Sequence, residues 1–330
     1  KQKVVDYMLT EFKQGRTPNP DIMCNQEIKF KLFYEVAREQ GADLIATGHY
    51  ARVLSSNSTL ELSHSILEKT NSDLNLTNSA LNKTNSTFNL TNNVFKKTTS
   101  VTKNTISVSG TSVTKTPKLL LATDQNKDQT YFLYRVSVKA LSQTLFPLGN
   151  LTKPEVKKLA KIYGFTNAYK KESMGVCFVG EANMKDFLRE FLPDEYQRPG
   201  KILDFETGEF CGYHDGAVFY TLGQRHGLDV GGGLPYYVVK KDMAKNLIYV
   251  SRNLQDKNLW ANKLLLEDAF FREAPPAHVR VRLRHRGELL PATIKTASDQ
   301  PSLVYQLIFP EQIRRPAPGQ SAVIYDGETC

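Results

Sequence analysis

An aspartate and a cysteine lie three residues apart, directly after a rigid turn. Asp21 and Cys24 follow Asn19-Pro20, where Asn19 can cap a helix that begins at Pro20. One helical turn places the carboxylate and the thiol on the same side, and the free N–H groups at a helix start favour a thiolate. Such a pair could act as a nucleophile with an acid/base partner. The alternative, a small buried cysteine and a first-turn helix charge, is favoured on these residues alone.

A second cysteine, Cys177, lies in a predicted strand between Gly175 and Gly180, shortly after Lys170 and Lys171. Glycines allow a ligand to approach the backbone, and nearby ammonium groups would lower the pKa of a thiol. A packed strand cysteine explains the same pattern. The two cysteines together suggest sulfur or redox chemistry. The chain has four cysteines, too few and too scattered for a disulfide scaffold, and no C-x-x-C pair suggests zinc.

Basic residues form the third candidate feature. Four arginines alternate with mostly apolar residues over Val279–Arg286, and a strand would place them on one face about 6.6 Å apart. This spacing favours contact with phosphates, although a charged edge strand is the alternative. The formal net charge of +9 fits a polyanionic partner. Two further polar sets, Gly48-His49 and Lys127-Asp128-Gln129, are indecisive from their residues alone.

Helices and strands alternate in the part of the sequence that must position these residues. Apolar residues at helical spacing predict a helix from Val5 to Phe12 and a second one from Ile28 to Ala37, which Gly41 closes. A short apolar run then ends in Gly48-His49. Helix followed by buried strand and polar strand end is typical of an α/β sheet that binds ligands at the carboxyl ends of its strands.

Residues 55–117 interrupt this rhythm. Ser, Thr or Asn occupy 35 of these 63 positions, and a 14-residue repeat is visible. Such a segment buries too little apolar surface to offset its ordering entropy, which predicts a mostly disordered insertion. A β-hairpin built from the repeats is the alternative. No chemistry is assigned to this segment.

The remaining sequence predicts three domains. We expect an α/β sheet domain over 1–195, a small central domain over 196–260 and a C-terminal β-barrel over 261–330. The reason is that the sequence becomes rich in strand and turn signals after Lys201. A helix is expected from Lys153 to Ile162. No apolar run is long enough to span a membrane. These features lead us to expect a cytosolic protein.

Taken together, the segments resemble one family, the tRNA-specific 2-thiouridylases (MnmA/TrmU type). The resemblance covers residues 1–54 and about 118–330, in order. It is carried by Gly15–Asp21, Cys24-Asn25, Ile28–Phe30, Ala46–Tyr50, Lys127–Leu133, Gly175–Gly180, Thr221–Arg225 and Pro318–Val323. It implies the adenine nucleotide alpha-hydrolase-like fold of PP-loop ATPases for the sheet domain.

The resemblance also implies an ATP-dependent sulfurtransferase that modifies the wobble uridine of tRNA, with Mg²⁺ expected beside ATP. In this family ATP adenylates the uracil C2 oxygen, and a persulfide on the cysteine that matches Cys177 delivers sulfur to C2. The cysteine that matches Cys24 attacks that persulfide and leaves a Cys24–Cys177 disulfide, and the sulfur departs either as free sulfide or by direct transfer. Asp21 matches the acid/base position. The sulfur would come from a sulfur-relay protein or a cysteine desulfurase, and the substrates would be tRNAs of the Lys, Glu and Gln type.

The resemblance assigns further residues to binding. Gly48 matches an ATP-binding position. The remaining matches are expected to contact tRNA, with Asn19-Pro20-Asp21 in the loop that receives the target base: Asn19, Pro20, Asp21, His49, Lys127, Asp128, Gln129, Arg284, His285 and Gln320. The family commonly has Tyr where this chain has His285, which puts base stacking there in question.

One departure concerns the phosphate loop. The family has a glycine- and serine-rich loop near its N-terminus, whereas residues 1–20 contain one Gly and no Ser. We therefore expect residues 1–330 to be a fragment lacking about 60 residues, with weak or no ATP-dependent thiolation on its own. A non-catalytic tRNA-binding remnant is the alternative. A cysteine hydrolase using Cys24 and His49 is a third reading, but no pattern for an orienting group or an oxyanion hole is recognisable.

Overall fold

A computed structural model describes residues 2–54, 116–170, 184–231, 235–297 and 304–330. The predicted strand around Cys177 and residues 55–115 of the predicted insertion lie outside these ranges. The described parts of 1–54 and 118–330 belong to one compact unit, built from an α/β part, a mixed four-stranded sheet and a five-stranded antiparallel sheet.

The first helix forms where apolar periodicity predicts it. Helix α1 spans Gln2–Lys13 and buries Val5, Met8 and Phe12. These side chains pack against Phe187 of a later helix. Gly15 follows α1 with φ of 77°, the left-handed conformation that commonly ends a helix.

The second predicted helix begins earlier than its apolar residues indicate. Helix α2 (Pro20–Cys24) continues through a π-helical stretch (Asn25–Leu32) into α3 (Phe33–Glu39). Phe30 and Tyr34 are buried, whereas Leu32, Phe33 and Val36 are exposed. A π-helical turn is wider than an α-helical turn, so it rotates the inward face away from the one that a regular α-helical spacing predicts.

The predicted sheet is represented by short strands. Strand β1 (Ile45–Ala46) pairs in parallel with β4 (Thr144–Leu145), and β2 (Arg52–Leu54) pairs antiparallel with β3 (Lys118–Leu120). The described residues of this part also form three later helices, α4 (Val138–Leu141), α5 (Lys153–Ile162) and α6 (Met184–Phe191). The bounds predicted for α5 are confirmed, and a capping box between Thr152 and Glu155 explains its start.

The central part is a four-stranded sheet in the order β6-β5-β8-β7. Its core contains Ile202, Val238, Ile248 and Val250, all fully buried. The strands are β5 (Gly200–Asp204), β6 (Phe210–His214), β7 (Tyr237–Asp242) and β8 (Leu247–Ser251).

The C-terminal part is a five-stranded antiparallel sheet in the order β13-β10-β11-β12-β9, packed around Val281, Leu307 and Phe309. The strands are β9 (Trp260–Leu266), β10 (His278–Arg282), β11 (Leu290–Ala297), β12 (Val304–Arg314) and β13 (Val323–Tyr325). Short 3-10 helices span Thr130–Phe132, Asp194–Tyr196, Ala217–Phe219 and Lys257–Leu259. The predicted order of an α/β part with parallel strands, a central β part and a terminal β part is confirmed.

Candidate active site and RNA-binding surface

The turn before Cys24 is held by the side chain of Asn19. Its Oδ1 accepts a hydrogen bond from the backbone N–H of Asp21 at 3.2 Å, and its side chain also bonds the hydroxyl of Tyr131. Pro20 occupies the first helical position, so the predicted cap is confirmed. Asp21 lies in the first turn of α2, and Cys24 is its last residue and is buried.

The segment Thr130–Phe132 packs against the Cys24 helix and hydrogen-bonds to it. Tyr131 is completely buried and packs with Ile22, which lies two residues before Cys24. Asn25 donates its Nδ2–H to the carbonyl oxygen of Phe132 at 3.1 Å. The hydroxyl of Tyr131 also lies 3.1 Å from the Ser321 carbonyl oxygen, and burial raises its pKa well above the usual value. The Cys24 helix is therefore fixed to residues that are distant in sequence.

Gly48 and His49 follow the carboxyl end of β1, as predicted. Gly48 is exposed, and a side chain built there would come no closer than 3.9 Å to Leu148. His49 is buried against the rings of Phe30 and Phe146. Its tRNA contact, which the resemblance implies, stays a prediction.

The contacts of His49 define its protonation state. Nε2 lies 3.5 Å from Nζ of Lys29, an ammonium that can only donate, so Nε2 accepts. Nδ1 therefore carries the proton and donates to Oγ1 of Thr47 at 2.9 Å. Burial, and secondarily the charge of Lys29, lowers the pKa of His49 to about 3. His49 is a neutral packing and hydrogen-bonding residue, which also removes the base that a Cys24–His49 hydrolase would need.

Asp128, another predicted tRNA contact, is held inside the protein. Its carboxylate is buried and accepts hydrogen bonds from the Ala122 N–H at 2.9 Å, the Thr130 hydroxyl at 2.7 Å and Arg282 at 2.7 Å. These three bonds fix the carboxylate in the interior, and its contact with tRNA stays a prediction. Its neighbour Gln129 accepts from the Tyr50 N–H through Oε1 and donates its own N–H to the Tyr50 carbonyl oxygen. Lys127 is half-buried.

The predicted single-face stripe of four arginines is wrong. Strand β10 ends at Arg282, whose outward face is covered because Asp128 packs onto it. Arg280 is exposed and donates to the Gly327 carbonyl oxygen. Arg284 and Arg286 are exposed in the turn that follows, where Arg286 has a φ of 59°. The basic surface therefore consists of Arg280 on the strand and Arg284 and Arg286 in the turn, and the buried Arg282–Asp128 ion pair lies between them.

His285 and Gln320 face protein groups. The ring of His285 lies 4.5 Å from the ring of Phe132, centre to centre, and burial followed by the nearby charge of Arg286 lowers its pKa. Gln320 donates its side-chain N–H to the carbonyl oxygen of Thr17 at 2.5 Å. Both residues thus connect the C-terminal sheet to segments around Cys24.

The structure places Asn19, Asp21 and Cys24 at one helix start, and Gln320 and His285 contact the neighbouring residues Thr17 and Phe132. Cys177 lies outside the described residues. Sequence reasoning missed Tyr131, Thr17 and Arg282 as connecting residues. Tyr131 and Thr17 stand inside the quoted motifs, but nothing in their spacing indicates hydrogen bonds to other domains. Within the described ranges, no cluster of His, Cys, Asp and Glu could hold a metal ion, and no helix could cross a membrane.

Family models match the chain along nearly its whole length. One described as tRNA methyl transferase HUP domain matches residues 1–97 and 105–181. One described as tRNA methyl transferase PRC-barrel domain matches residues 185–252, and one described as aminomethyltransferase beta-barrel domain matches residues 262–330.

Curated relatives are similar over the full chain. The tRNA-specific 2-thiouridylase MnmA of Bacillus velezensis is 36% identical over 100% of this chain and 73% of its own length. The protein of that name from Listeria monocytogenes is 36% identical over 99% of this chain and 72% of its own length. That of Lactococcus lactis is 37% identical over 99% and 73%.

The chain has a HUP domain, then a central β-rich domain, then a terminal β-barrel-like domain, and a capped cysteine helix lies where they meet. This order defines a tRNA-modifying class of protein. Within that class, the chain belongs to the family of tRNA-specific 2-thiouridylases.

Proposed function

We propose that this protein catalyses 2-thiolation of the wobble uridine of tRNA. The observation that carries the proposal is that three long-range hydrogen bonds meet around one short helix. Asn19 bonds Tyr131, Asn25 bonds Phe132, and Thr17 accepts from Gln320. These contacts join residues more than a hundred positions apart around Cys24 and Asp21. The family membership supplies the reaction for which such a site is suited.

The reaction requires the uracil C2 oxygen to be replaced by sulfur. This oxygen is a poor leaving group, and ATP would supply its activation by adenylation. The terminal sulfur of a Cys177 persulfide then bonds to C2 while AMP departs with the former C2 oxygen. The Cys24 thiolate attacks the inner sulfur of the persulfide and breaks its S–S bond, leaving C2=S and a Cys24–Cys177 disulfide. A thiol reductant restores both cysteines, and Asp21 accepts or returns the proton.

The end of β1 suits a nucleotide. Gly48 is exposed there with open space around it, so a ligand can approach its backbone closely. Ligands of α/β sheets bind outside the carboxyl ends of the strands. We propose Gly48 as the residue of this chain that contacts ATP, with Mg²⁺ accompanying the phosphates.

The RNA surface would use exposed arginines to contact phosphates. We propose Arg280, Arg284 and Arg286 for this role, together with the half-buried Lys127, whereas Asp128 and His49 are held in the interior. An anticodon-loop base is already partly unpaired, so moving it into a pocket costs little. We propose tRNAs of the Lys, Glu and Gln type as substrates, a sulfur-relay protein or cysteine desulfurase as donor, and the cytoplasm as the place of action.

The experiment that tests this proposal uses the protein as its source cells make it. It is incubated with unmodified tRNA, a persulfide donor and ATP, and the tRNA nucleosides are analysed by mass spectrometry. We expect 2-thiouridine that depends on ATP and is absent when the wobble uridine is replaced by cytidine. Tight tRNA binding without any 2-thiouridine would overturn the proposal and leave a tRNA-binding role.

A further inference from the structure

Thr17 lies where three parts of the chain meet, four residues before Asp21. Its N–H donates to the Pro318 carbonyl oxygen at 2.7 Å, and its carbonyl oxygen accepts from the Gln320 side chain at 2.5 Å. Its hydroxyl lies 3.1 Å from the hydroxyl of Thr221. Every polar group of Thr17 is therefore bonded to another domain, two of them to the C-terminal part and one to the central part.

The surroundings of Thr17 leave little room for movement. Gly319 has a φ of 91°, and a side chain there would lie only 3.0 Å from the Thr17 nitrogen. On the other side, a side chain at Gly15 would meet Met243 of the central part at 2.7 Å. Close packing of this kind transmits a displacement rather than absorbing it.

The central-domain partner is itself held in place. The Thr221 N–H donates to Oε1 of Gln224 at 2.9 Å, and Lys241 donates from Nζ to the Tyr220 carbonyl oxygen at 2.7 Å. Lys241 is half-buried beside the Gly15 turn, since its Cε would lie 3.8 Å from a side chain at Gly15. The loop that carries Thr221 is therefore a fixed contact.

We propose that Thr17 is a positioning residue that couples the central and C-terminal domains to the placement of Asp21 and Cys24. The inference rests on the proposed function, because it concerns the same reaction. Only Pro18, which is buried, and Asn19, the helix cap, lie between Thr17 and the helix. RNA bound on the two β-rich domains would thus set the position of the reacting groups through Thr17. A misplacement of about 1 Å is enough to cost up to about a hundredfold in rate.

The test compares variants that remove the shared hydroxyl bond from either end. Thr17→Val and Thr221→Val keep the side-chain shape, and Thr17→Ser keeps the hydroxyl. We expect each valine variant to lower kcat for tRNA thiolation about tenfold with little change in the tRNA KM, and Thr17→Ser to restore kcat. The double variant should be no worse than either single one, because both delete the same bond. Thr10→Val, which removes a similar hydroxyl bond to Asp6 on the exposed face of α1, is the matched control and should keep kcat.

Each outcome is decisive. Equal losses in kcat and tRNA affinity that follow a drop in melting temperature would indicate a merely structural role and overturn the inference. An active wild type with an unchanged Thr17→Val kcat would overturn this inference alone. A wild type that is inactive when prepared as its source cells make it would overturn the proposed function and this inference with it.

Discussion

At the scale of single residues, charge and burial separate the groups that can react or bind from those that only hold the site. His49 and Asp128 stand in motif segments, yet both are buried and their polar atoms are bonded to protein groups. Neither residue type nor motif membership distinguishes a buried polar side chain from an exposed one. The distinction depends on which segment covers the residue, and that is a tertiary property.

The buried His49 predicts a specific loss of stability in acid. Below pH 6.5 the unfolded chain takes up a proton at this histidine, whereas the folded protein does not until about pH 3. Stability therefore falls as the pH drops through this window, by about 2–3 kcal/mol at pH 4.5. Urea unfolding at pH 7 and pH 4.5 measures it, with His49→Gln as the non-titrating comparison. An equal loss of stability in wild type and His49→Gln would contradict the assignment.

At the scale of elements, local signals in the sequence predicted what local forces determine. The Asn19 cap, the Gly15 and Gly41 helix ends and the start of α5 depend on neighbouring residues, and all are found as predicted. The π-helical stretch was not predictable, because its reason is not contained in its own residues. It turns Phe30 and Tyr34 inward in place of the apolar residues that regular spacing selects.

The contacts around the site were less predictable. Asn19, Gln129 and Gln320 were expected to contact tRNA, which stays a prediction, and in the structure each bonds a residue 79 or more positions away. These protein partners could not be read from the sequence, because a hydrogen bond between residues far apart in the chain leaves no local pattern. The same reason explains the error over Arg282: alternation places it on the outer face of β10, but only the fold shows that Asp128 covers that face.

The Asn19 cap predicts a measurable contribution to stability. Asn19→Ala removes the acceptor for the Asp21 N–H and the bond to Tyr131, so we expect a loss of about 1–2 kcal/mol in the free energy of unfolding. Asn19→Asp retains the cap and should lose less. Urea unfolding at neutral pH provides the measurement. If both variants were equally destabilised, the cap would not be the cause.

At the scale of the whole molecule, a buried ion pair joins the α/β part to the C-terminal sheet. Arg282 lies 2.7 Å from Asp128, and both are almost completely buried. Thr130 adds a second link, 3.0 Å from the hydroxyl of Tyr325. Asp128 and Arg282, 154 positions apart, thus hold the segment before Tyr131 against β10. Because Tyr131 packs on the Cys24 helix, the ion pair also fixes that helix.

This ion pair predicts that the stability losses of mutations at Asp128 and Arg282 are strongly non-additive. Asp128→Asn leaves the buried charge of Arg282 without its counterion and should cost about 3–5 kcal/mol. The double replacement Asp128→Asn with Arg282→Met removes both charges, keeps an oxygen acceptor for the Ala122 N–H, and should recover much of that loss. Breaking the more exposed pair Arg16–Glu267 by Glu267→Gln should cost no more than about 1 kcal/mol. If the double variant lost as much stability as the sum of Asp128→Asn and Arg282→Met measured singly by urea unfolding, the buried-pair account would be wrong.

The central claim is that Cys24 takes part in tRNA thiolation, and one measurement tests it most directly. Source cells carrying Cys24→Ser at the native locus are compared with cells carrying Cys211→Ser, a matched change at a half-buried cysteine of the central domain. Mass spectrometry of their tRNA nucleosides quantifies 2-thiouridine at the wobble position. We predict loss of this nucleoside with Cys24→Ser and its retention with Cys211→Ser, both proteins being present at equal levels. Undiminished 2-thiouridine with Cys24→Ser would contradict the account.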